Sequence, residues 1–318
     1  MVSGERLYTV YLVMIQERVS LAGKTTMRIG GTARFFAEVR TREDAEQAWA
    51  FSQEENIPLI ALGSGSNTIF ADGVINAVVV RIGADEVETN AKCKMPARPT
   101  VGSDGQNAKC LTVQAGKNLP MLINDCAAQG LDLSPLTGIP GTVGGAIVGN
   151  AGQGPTGIWI DSFVRSVTVF QSGAWKEMPR EACGFGYRHS VFKEAAYAGA
   201  IVWETLLCVP RGEPAQIQET IEQLLRKRIG TQPHRKTAGS VFKAHGKTPA
   251  WQLIDAAGLR GLHIGGVRIT EKHANFLENT GEGTFDDAMA IIDRVRGTVQ
   301  EPLDIEMRFY GEEGRISE

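Results

Sequence analysis

The chain has 318 residues, 42% hydrophobic and 22% charged, with a formal net charge of −3 and a pI of about 6.0. That is ordinary globular material, long enough for two cores, and it lacks the clustered positive charge that nucleic-acid binding needs. Five cysteines with no C-x-x-C pair, and no apolar run long enough to span a bilayer, argue against a disulfide framework, a zinc site and a membrane anchor, and for a reducing cytoplasm.

Residues 1–17 read as an N-terminal extension. The apolar stretch Leu7 to Ile15 is interrupted by threonine and tyrosine and has no positive leader, so it reads as an extension or first strand, not a signal peptide. Thr41 with Asp44 makes a capping box ahead of Ala45, Ala48, Trp49 and Ser52, which predicts a helix ending before Pro58. Leu59 to Leu62 and Ala77 to Ile82 are short apolar runs with the character of strands. Between Glu88 and Lys109 the chain turns polar and aperiodic, a surface insertion, after which the strand Leu111 to Val113 resumes. Asn118 caps a helix carrying Leu122, Ile123 and Cys126 that stops at Gly130.

From Phe163 to Val209 a period of two with a turn at Ser172-Gly173 predicts a β-rich segment. Pro210 to Pro214 reads as a linker. A helix follows with Ile217, Ile221, Leu224 and Leu225 on one face and the cationic end Arg226-Lys227-Arg228. Thr248 is the expected cap of a helix ending at Gly258, and Thr284 with Asp287 opens another ending at Gly297. Leu303 to Tyr310 reads as the last strand, and no internal repeat is visible.

Two glycine-dense loops stand out. Gly138-Ile139-Pro140-Gly141-Thr142-Val143-Gly144-Gly145 holds four glycines in eight residues, and Gly63-Ser64-Gly65-Ser66-Asn67 follows the apolar run Leu59 to Leu62. Each glycine weakens a helix or strand by roughly 0.5–1 kcal/mol relative to alanine. The compensating return is a set of bare N–H groups that can face phosphate oxygens, and two such loops suggest a ligand with more than one phosphate. Read alone, Gly63 to Asn67 could equally be a tight turn. Two other glycine motifs fail on context. Gly152 to Gly157 matches G-x-G-x-x-G but holds Pro155 and lacks a strand before it, and Gly23-Lys24-Thr25 has Arg18 where a P-loop needs glycine.

Three polar residues have bland default readings. Arg188 in Tyr187-Arg188-His189-Ser190 could be a solvated charge, and Ser240 in Ala238 to Lys243 a turn or cap. Glu306, with Asp304 and Arg308 on one side of a strand and Ile305 and Met307 on the other, could be a paired surface carboxylate. His273 has no partner at metal-ligand spacing, and no metal is expected.

Taken together and in order, these pieces resemble the UDP-N-acetylenolpyruvoylglucosamine reductases, the flavoenzymes called MurB. The carriers are Thr25 to Gly31 (TTMRIGG), ALGSGSNTIFAD, GIPGTVGGAIVGNAG, YRHS, AGSVFK, IGGVRITEKHANFLEN and LDIEMRFYG, from about Met14 to the end of the chain. The resemblance implies an α+β architecture: a two-lobed FAD-binding fold of the vanillyl-alcohol-oxidase (PCMH) type over residues 18–210, with the surface insertion at 88–109, and a separate C-terminal α/β substrate domain over 211–318. It implies the short-chain subtype, non-covalent FAD, NADPH as co-substrate and a UDP-sugar enolpyruvyl ether as substrate. The activity implied is reduction of UDP-N-acetylglucosamine enolpyruvate to UDP-N-acetylmuramate in peptidoglycan precursor synthesis, by a cytoplasmic monomer without nucleic-acid, membrane or metal partners.

By the same resemblance, Arg188, Ser240 and Glu306 are catalytic. Gly63, Ser64, Gly65, Ser66, Asn67, Pro140, Gly141, Thr142, Gly144, Gly145 and Arg308 bind the cofactor, and Tyr187, Arg228 and Lys243 bind the substrate. Three features depart from the family pattern: Ala244-His245 stands where Asn-Pro is usual, Gly149 where methionine is common, and the 88–109 insertion is atypical.

The implied chemistry delivers hydride from flavin N5 to the terminal alkene carbon and leaves charge on the carbon beside the carboxylate. Arg188 would neutralise that enolate with aimed donors, Glu306 would share the carboxylate region, protonated or as the partner that orients Arg188, and Ser240 would give the proton to the carbon. Nicotinamide and sugar nucleotide must both reach N5, which implies alternating occupancy and ping-pong kinetics. Two rivals stay open at this level: an oxidase of the same flavin fold, and a non-catalytic flavin or nucleotide-sugar binding protein.

Overall fold

The computed structural model describes residues 13–89, 108–154, 157–233 and 236–315. The first lobe is a four-stranded sheet in the order β1(Ile15–Ser20)–β2(Thr32–Val39)–β5(Val74–Ile82)–β3(Leu59–Leu62), with β1 antiparallel to β2 and the other pairs parallel. Helix α1(Arg42–Glu54) crosses between β2 and β3, opened by the Thr41/Asp44 capping box that the sequence predicts. The short strand β4(Thr68–Phe70) follows the first glycine loop. Residues 15–17, assigned above to the extension, are already paired to β2 through Ile15, Gln16 and Glu17.

The second lobe is a five-stranded antiparallel sheet, β6(Val87–Thr89)–β7(Ala108–Gln114)–β10(Ile201–Pro210)–β8(Val164–Gln171)–β9(Ala174–Pro179). It is joined by α2(Leu119–Ala127) and α3(Val143–Gly149). Asn118 caps α2 as predicted. The turn between β8 and β9 is Ser172-Gly173, both at positive φ, the geometry that a two-residue hairpin demands. The ends of the predicted insertion fall in β6 and β7; its residues 90–107 lie outside the described residues, as do residues 1–12 of the extension.

After α4(Pro214–Thr231) come α5(Ala250–Ala256), a small antiparallel sheet β11(His263–Ile264)–β12(Val267–Ile269)–β13(Leu277–Asn279), α6(Phe285–Thr298) and β14(Arg308–Tyr310). The Thr284/Asp287 capping box of α6 forms as expected. β14 returns to the first lobe and pairs parallel with β4.

β5 shows why the pieces hold together. Alternate side chains of a strand face opposite ways: Val78, Val80 and Ile82 join the core beneath α1 and the second lobe, while Ile75, Ala77 and Val79 join the core of the C-terminal elements. Buried on both faces, the strand is a near-continuous apolar run without clean alternation. In β2 a bulge between Ala33 and Phe35 shifts the alternation, so Ala33 and Phe36 share the C-terminal side. The described residues thus build two cores, and the first lobe contributes to both.

Four readings need correction or adjustment. The last strand is confined to Arg308–Tyr310, because Glu306 and Met307 both direct their N–H at Val241 O and leave the ladder irregular before it. Thr248 does not cap α5: Pro249 holds that position, and Thr248 instead exchanges two backbone bonds with His245. Residues 180–200, within the predicted β-rich segment, are turns and 3-10 helix, bent by positive φ at Gly184, Arg188 and Gly199. Finally, α4 follows the predicted 210/211 boundary, yet its Ile217 and Ile221 are buried in the second-lobe core, against α2. Helix α4 is therefore packed with the second lobe.

Candidate active site

The two glycine loops meet. A Cβ at Gly63 would lie 2.5 Å from Thr142 Oγ1, and one at Gly141, where φ is +109°, would lie 2.6 Å from Ser66 Oγ. Ser66 Oγ in turn donates to Pro140 O at 3.4 Å, and Thr142 caps α3 by accepting from Gly145 N. Both loops line a cleft of about 740 Å³ that also takes in α4 and the start of the C-terminal domain. Ser64 Oγ, Thr137 Oγ1 and Thr237 Oγ1 are buried without a hydrogen-bond partner, a state that costs about 1–3 kcal/mol for each orphaned group unless a ligand meets it. Narrow backbone walls and an orphaned hydroxyl in the first loop fit a dinucleotide diphosphate, and with it FAD, held by peptide N–H groups.

Gly65 carries the sharpest constraint. Its φ is +65°, and a Cβ there would sit 2.3 Å from Lys24 O and 2.7 Å from Thr25 Cα, all backbone. Gly65→Ala must move the loop or the TTMRIGG segment, at a strain of about 1–3 kcal/mol. We expect the variant to bind FAD about ten- to a hundredfold more weakly than wild type, read as quenching of flavin fluorescence on titration; equal affinity would remove the loop from the cofactor cradle.

The three candidate catalytic residues come from three separate segments. Gly186 to His189 is a tight turn closed by reciprocal backbone bonds (3.1 and 3.2 Å), and Arg188 sits at its corner with φ +53°. Asn150 Nδ2, at the C-terminus of α3, donates to Gly186 O at 2.8 Å, and Ser190 Oγ donates to Val148 O at 2.7 Å. The second glycine loop and the YRHS turn are therefore fastened together. Ser240 follows Gly239, whose Cβ position is 3.9 Å from Ser66 O, and it forms an isolated bridge with Phe276. Glu306 runs antiparallel beside that segment, its N–H donating to Val241 O at 2.7 Å, and Asn67 Nδ2 of the first glycine loop donates to Glu306 O at 3.2 Å. Arg308 N donates to Asn67 O at 3.0 Å. Long-range hydrogen bonds bring Arg188, Ser240 and Glu306 from three separate segments to one cleft.

Arg188 Nε lies 3.1 Å from Glu306 Oε1, with the side chains 16% and 15% exposed. The contact is electrostatic: the Nε–H is not aligned for a hydrogen bond with the carboxylate. Burial pushes the Glu306 carboxyl above its ordinary range, and Arg188, Lys193 and Lys243 pull it back. Burial lowers Lys193 to about 8, and it also lowers Arg228 and keeps His273 toward its neutral form. The cleft wall carries Arg188, Lys193, Lys227, Arg228 and Arg308 against Glu306 as its carboxylate, an excess of positive charge in an acidic protein. That favours a multiply anionic ligand.

Of the other sequence-predicted residues, Gly63 to Asn67, Pro140, Thr142, Gly144, Gly145, Arg308, Tyr187 and Arg228 line the cleft. Gly141 contributes behind that wall, through its approach to Ser66, and Lys243 stands behind Phe242 and Ala244, near enough to act on Glu306 electrostatically. The Tyr187 hydroxyl accepts from Ala244 N at 3.2 Å, and Arg228 Nη1 donates to Thr137 O at 3.1 Å beside Gly138. The Ala244-His245 departure has a local account: His245 N–H donates to Thr248 O, which proline could not do, and its ring nitrogen lies 3.2 Å from Pro302 O. Gly149 widens the cleft, since a Cβ there would meet nothing within 4 Å. Sequence reasoning missed Lys193, although it stands five residues after Arg188 within one run. Among the described residues no cluster of His, Cys, Asp or Glu could hold a metal, and no helix is long and apolar enough to cross a membrane.

Comparisons with known proteins converge on one family. Residues 33–174 match an FAD-binding domain, and residues 232–309 match the C-terminal domain of UDP-N-acetylenolpyruvoylglucosamine reductase. The reductase of Moorella thermoacetica is 36% identical over 307 residues, spanning 96% of this chain and 94% of that protein. The reductase of Synechococcus elongatus is 33% identical over 308 residues, 95% and 96% of the two chains. The crystal structure of the enzyme from Thermus caldophilus superposes with a TM-score of 0.76 at 32% identity, over 94% of this chain and 99% of that one. The two-lobed flavin fold with a distinct C-terminal region, expected from sequence, is the fold observed.

Proposed function

The chain belongs to the UDP-N-acetylenolpyruvoylglucosamine reductase family and is a flavin-dependent oxidoreductase, and we propose that Arg188, Ser240 and Glu306 carry its reduction of the enolpyruvyl ether of UDP-N-acetylglucosamine to UDP-N-acetylmuramate. FAD, reduced by NADPH, supplies the hydride when bound between the two glycine loops. The observation that carries the residue roles is the Arg188–Glu306 contact at 3.1 Å in the cleft that Ser240 also lines.

Arg188 is placed to receive the substrate carboxylate and the enolate charge beside it. Its planar guanidinium presents a fork of N–H donors that suits a carboxylate. Glu306 lies against the guanidinium at Nε as its counter-charge, and its raised pKa lets it share a proton as charge builds. Ser240, between Gly239 and the Val241–Glu306 bond, lines the same cleft and is the group that would return a proton to the enolate carbon. Arg228 and Lys227 on α4, with Tyr187, are suited to the diphosphate end of the sugar nucleotide. We take the enzyme to be a cytoplasmic monomer. The buried thiols of Cys126 and Cys183, pushed up to about 12 and about 11, suit a reducing compartment.

Stopped-flow measurement tests this reading. NADPH oxidation should depend on the enolpyruvyl sugar, with ping-pong kinetics; steady NADPH oxidation by O₂ alone, unaffected by the sugar, would favour an oxidase. No oxidation under either condition would leave a binding protein.

A further inference from the structure

We propose that Lys193 is a positioning residue of this site, holding Arg188 in the conformation that sets its guanidinium on Glu306. The inference deepens the reductase reading and rests on it.

Arg188 has φ +53°, a backbone conformation uncommon for any residue but glycine, and such strain persists only where surrounding contacts offset it. Lys193 returns to that turn from five residues downstream. Ser190 is anchored to Val148 O, a single 3-10 turn over Val191–Lys193 follows with Phe192 buried, and Lys193 N bonds Ser190 O at 3.0 Å. The turn brings Lys193 Nζ back to donate to Arg188 O at 3.0 Å. One ammonium thus closes a loop from the strained residue to the chain that follows it.

Lys193 also lines the cleft. The charged groups that act on it come from every neighbouring segment: Arg308 of β14, Glu306 before it, Lys243 of the AGSVFK run and Arg188 of its own turn. Glu306 is the one group among these that favours the charged amine. Lysine also has two N–H donors left after the bond to Arg188 O.

A positioning role through an ammonium predicts a pH signature that a packing role does not. Lys193 is charged at neutral pH and loses its proton as pH rises through about 8. The bond to Arg188 O then weakens and one of the positive charges that act on Glu306 is lost. Turnover of the enolpyruvyl sugar should therefore fall on an alkaline limb near that pH.

The test uses the FAD-loaded enzyme and kcat/KM for the enolpyruvyl sugar from neutral to alkaline pH, in wild type, Lys193→Met and Lys193→Arg. Lys193→Met is expected to lose about tenfold or more at neutral pH, more in the half-reaction with the sugar than in that with NADPH, and to lose the limb. Lys193→Arg, whose charge does not titrate in this range, is expected to recover part of the neutral activity while moving the limb out of range. If Lys193→Met fails to bind FAD, the limb in Lys193→Arg decides alone. A limb unchanged in Lys193→Arg, or a Lys193→Met enzyme as active as wild type, overturns the inference. A wild-type enzyme inactive toward the sugar overturns the reductase reading, and this inference with it.

Discussion

Ser240→Ala is expected to slow the half-reaction with the enolpyruvyl sugar by about 10²–10⁴, the contribution of a positioned proton donor, while the half-reaction with NADPH stays nearly intact. The asymmetry follows from placement. Ser240 stands on the C-terminal side of the cleft, next to the segment that holds Glu306, and the backbone of that segment is fixed by bonds that do not involve its hydroxyl. Removing Oγ leaves Gly239 against Ser66 and the Val241–Glu306 bond in place. The loss is then chemical, confined to the step that needs a proton at carbon. Separate stopped-flow traces for each half-reaction measure it, and equal slowing of both would take the serine out of the proton-donor role.

Much of this site was legible in the sequence, for reasons that differ by residue. The glycine loops announce themselves because close backbone approach leaves no room for Cβ, and the contacts at Gly63, Gly65 and Gly141 bear that out. The capping boxes of α1 and α6 are local chemistry and formed where predicted. Arg188, Ser240 and Glu306 could not be told from surface residues by local pattern, and only the family resemblance singled them out. Their convergence depends on bonds such as Asn67 to Glu306 and Asn150 to Gly186, between partners far apart in sequence. The same non-locality explains the misses. Pairing of residues 303–307 with a distant segment cut short the predicted last strand, and Lys193 matters only because a 3-10 turn folds it back.

The Arg188–Glu306 pair yields the second large effect, and it separates catalysis from stability. Arg188→Ala should cost about 10²–10³ in kcat/KM, the scale of losing one preorganised donor. It also strands a buried carboxylate, which costs about 3 kcal/mol at the lower end for broken buried pairs, given the residual exposure of both side chains. Glu306 already has a raised pKa, and without Arg188 its largest compensating charge is gone. A carboxyl with a higher pKa folded than unfolded binds more protons in the native state. The penalty is therefore relieved as pH falls through the folded pKa and is felt in full above it. The Tm of Arg188→Ala should accordingly rise on mild acidification, whereas Arg188→Ala/Glu306→Gln, with no carboxylate left to strand, should be more stable than the single variant at neutral pH and nearly flat across the same range. Catalysis should not follow: the double variant keeps the stability and lacks the guanidinium, so its kcat/KM stays as low as that of Arg188→Ala. Thermal unfolding followed by flavin release, beside the kinetics, measures both. A double variant no more stable than Arg188→Ala would show that Glu306 is solvated well enough to need no partner, and the carboxylate would lose its place as the group that orients the arginine.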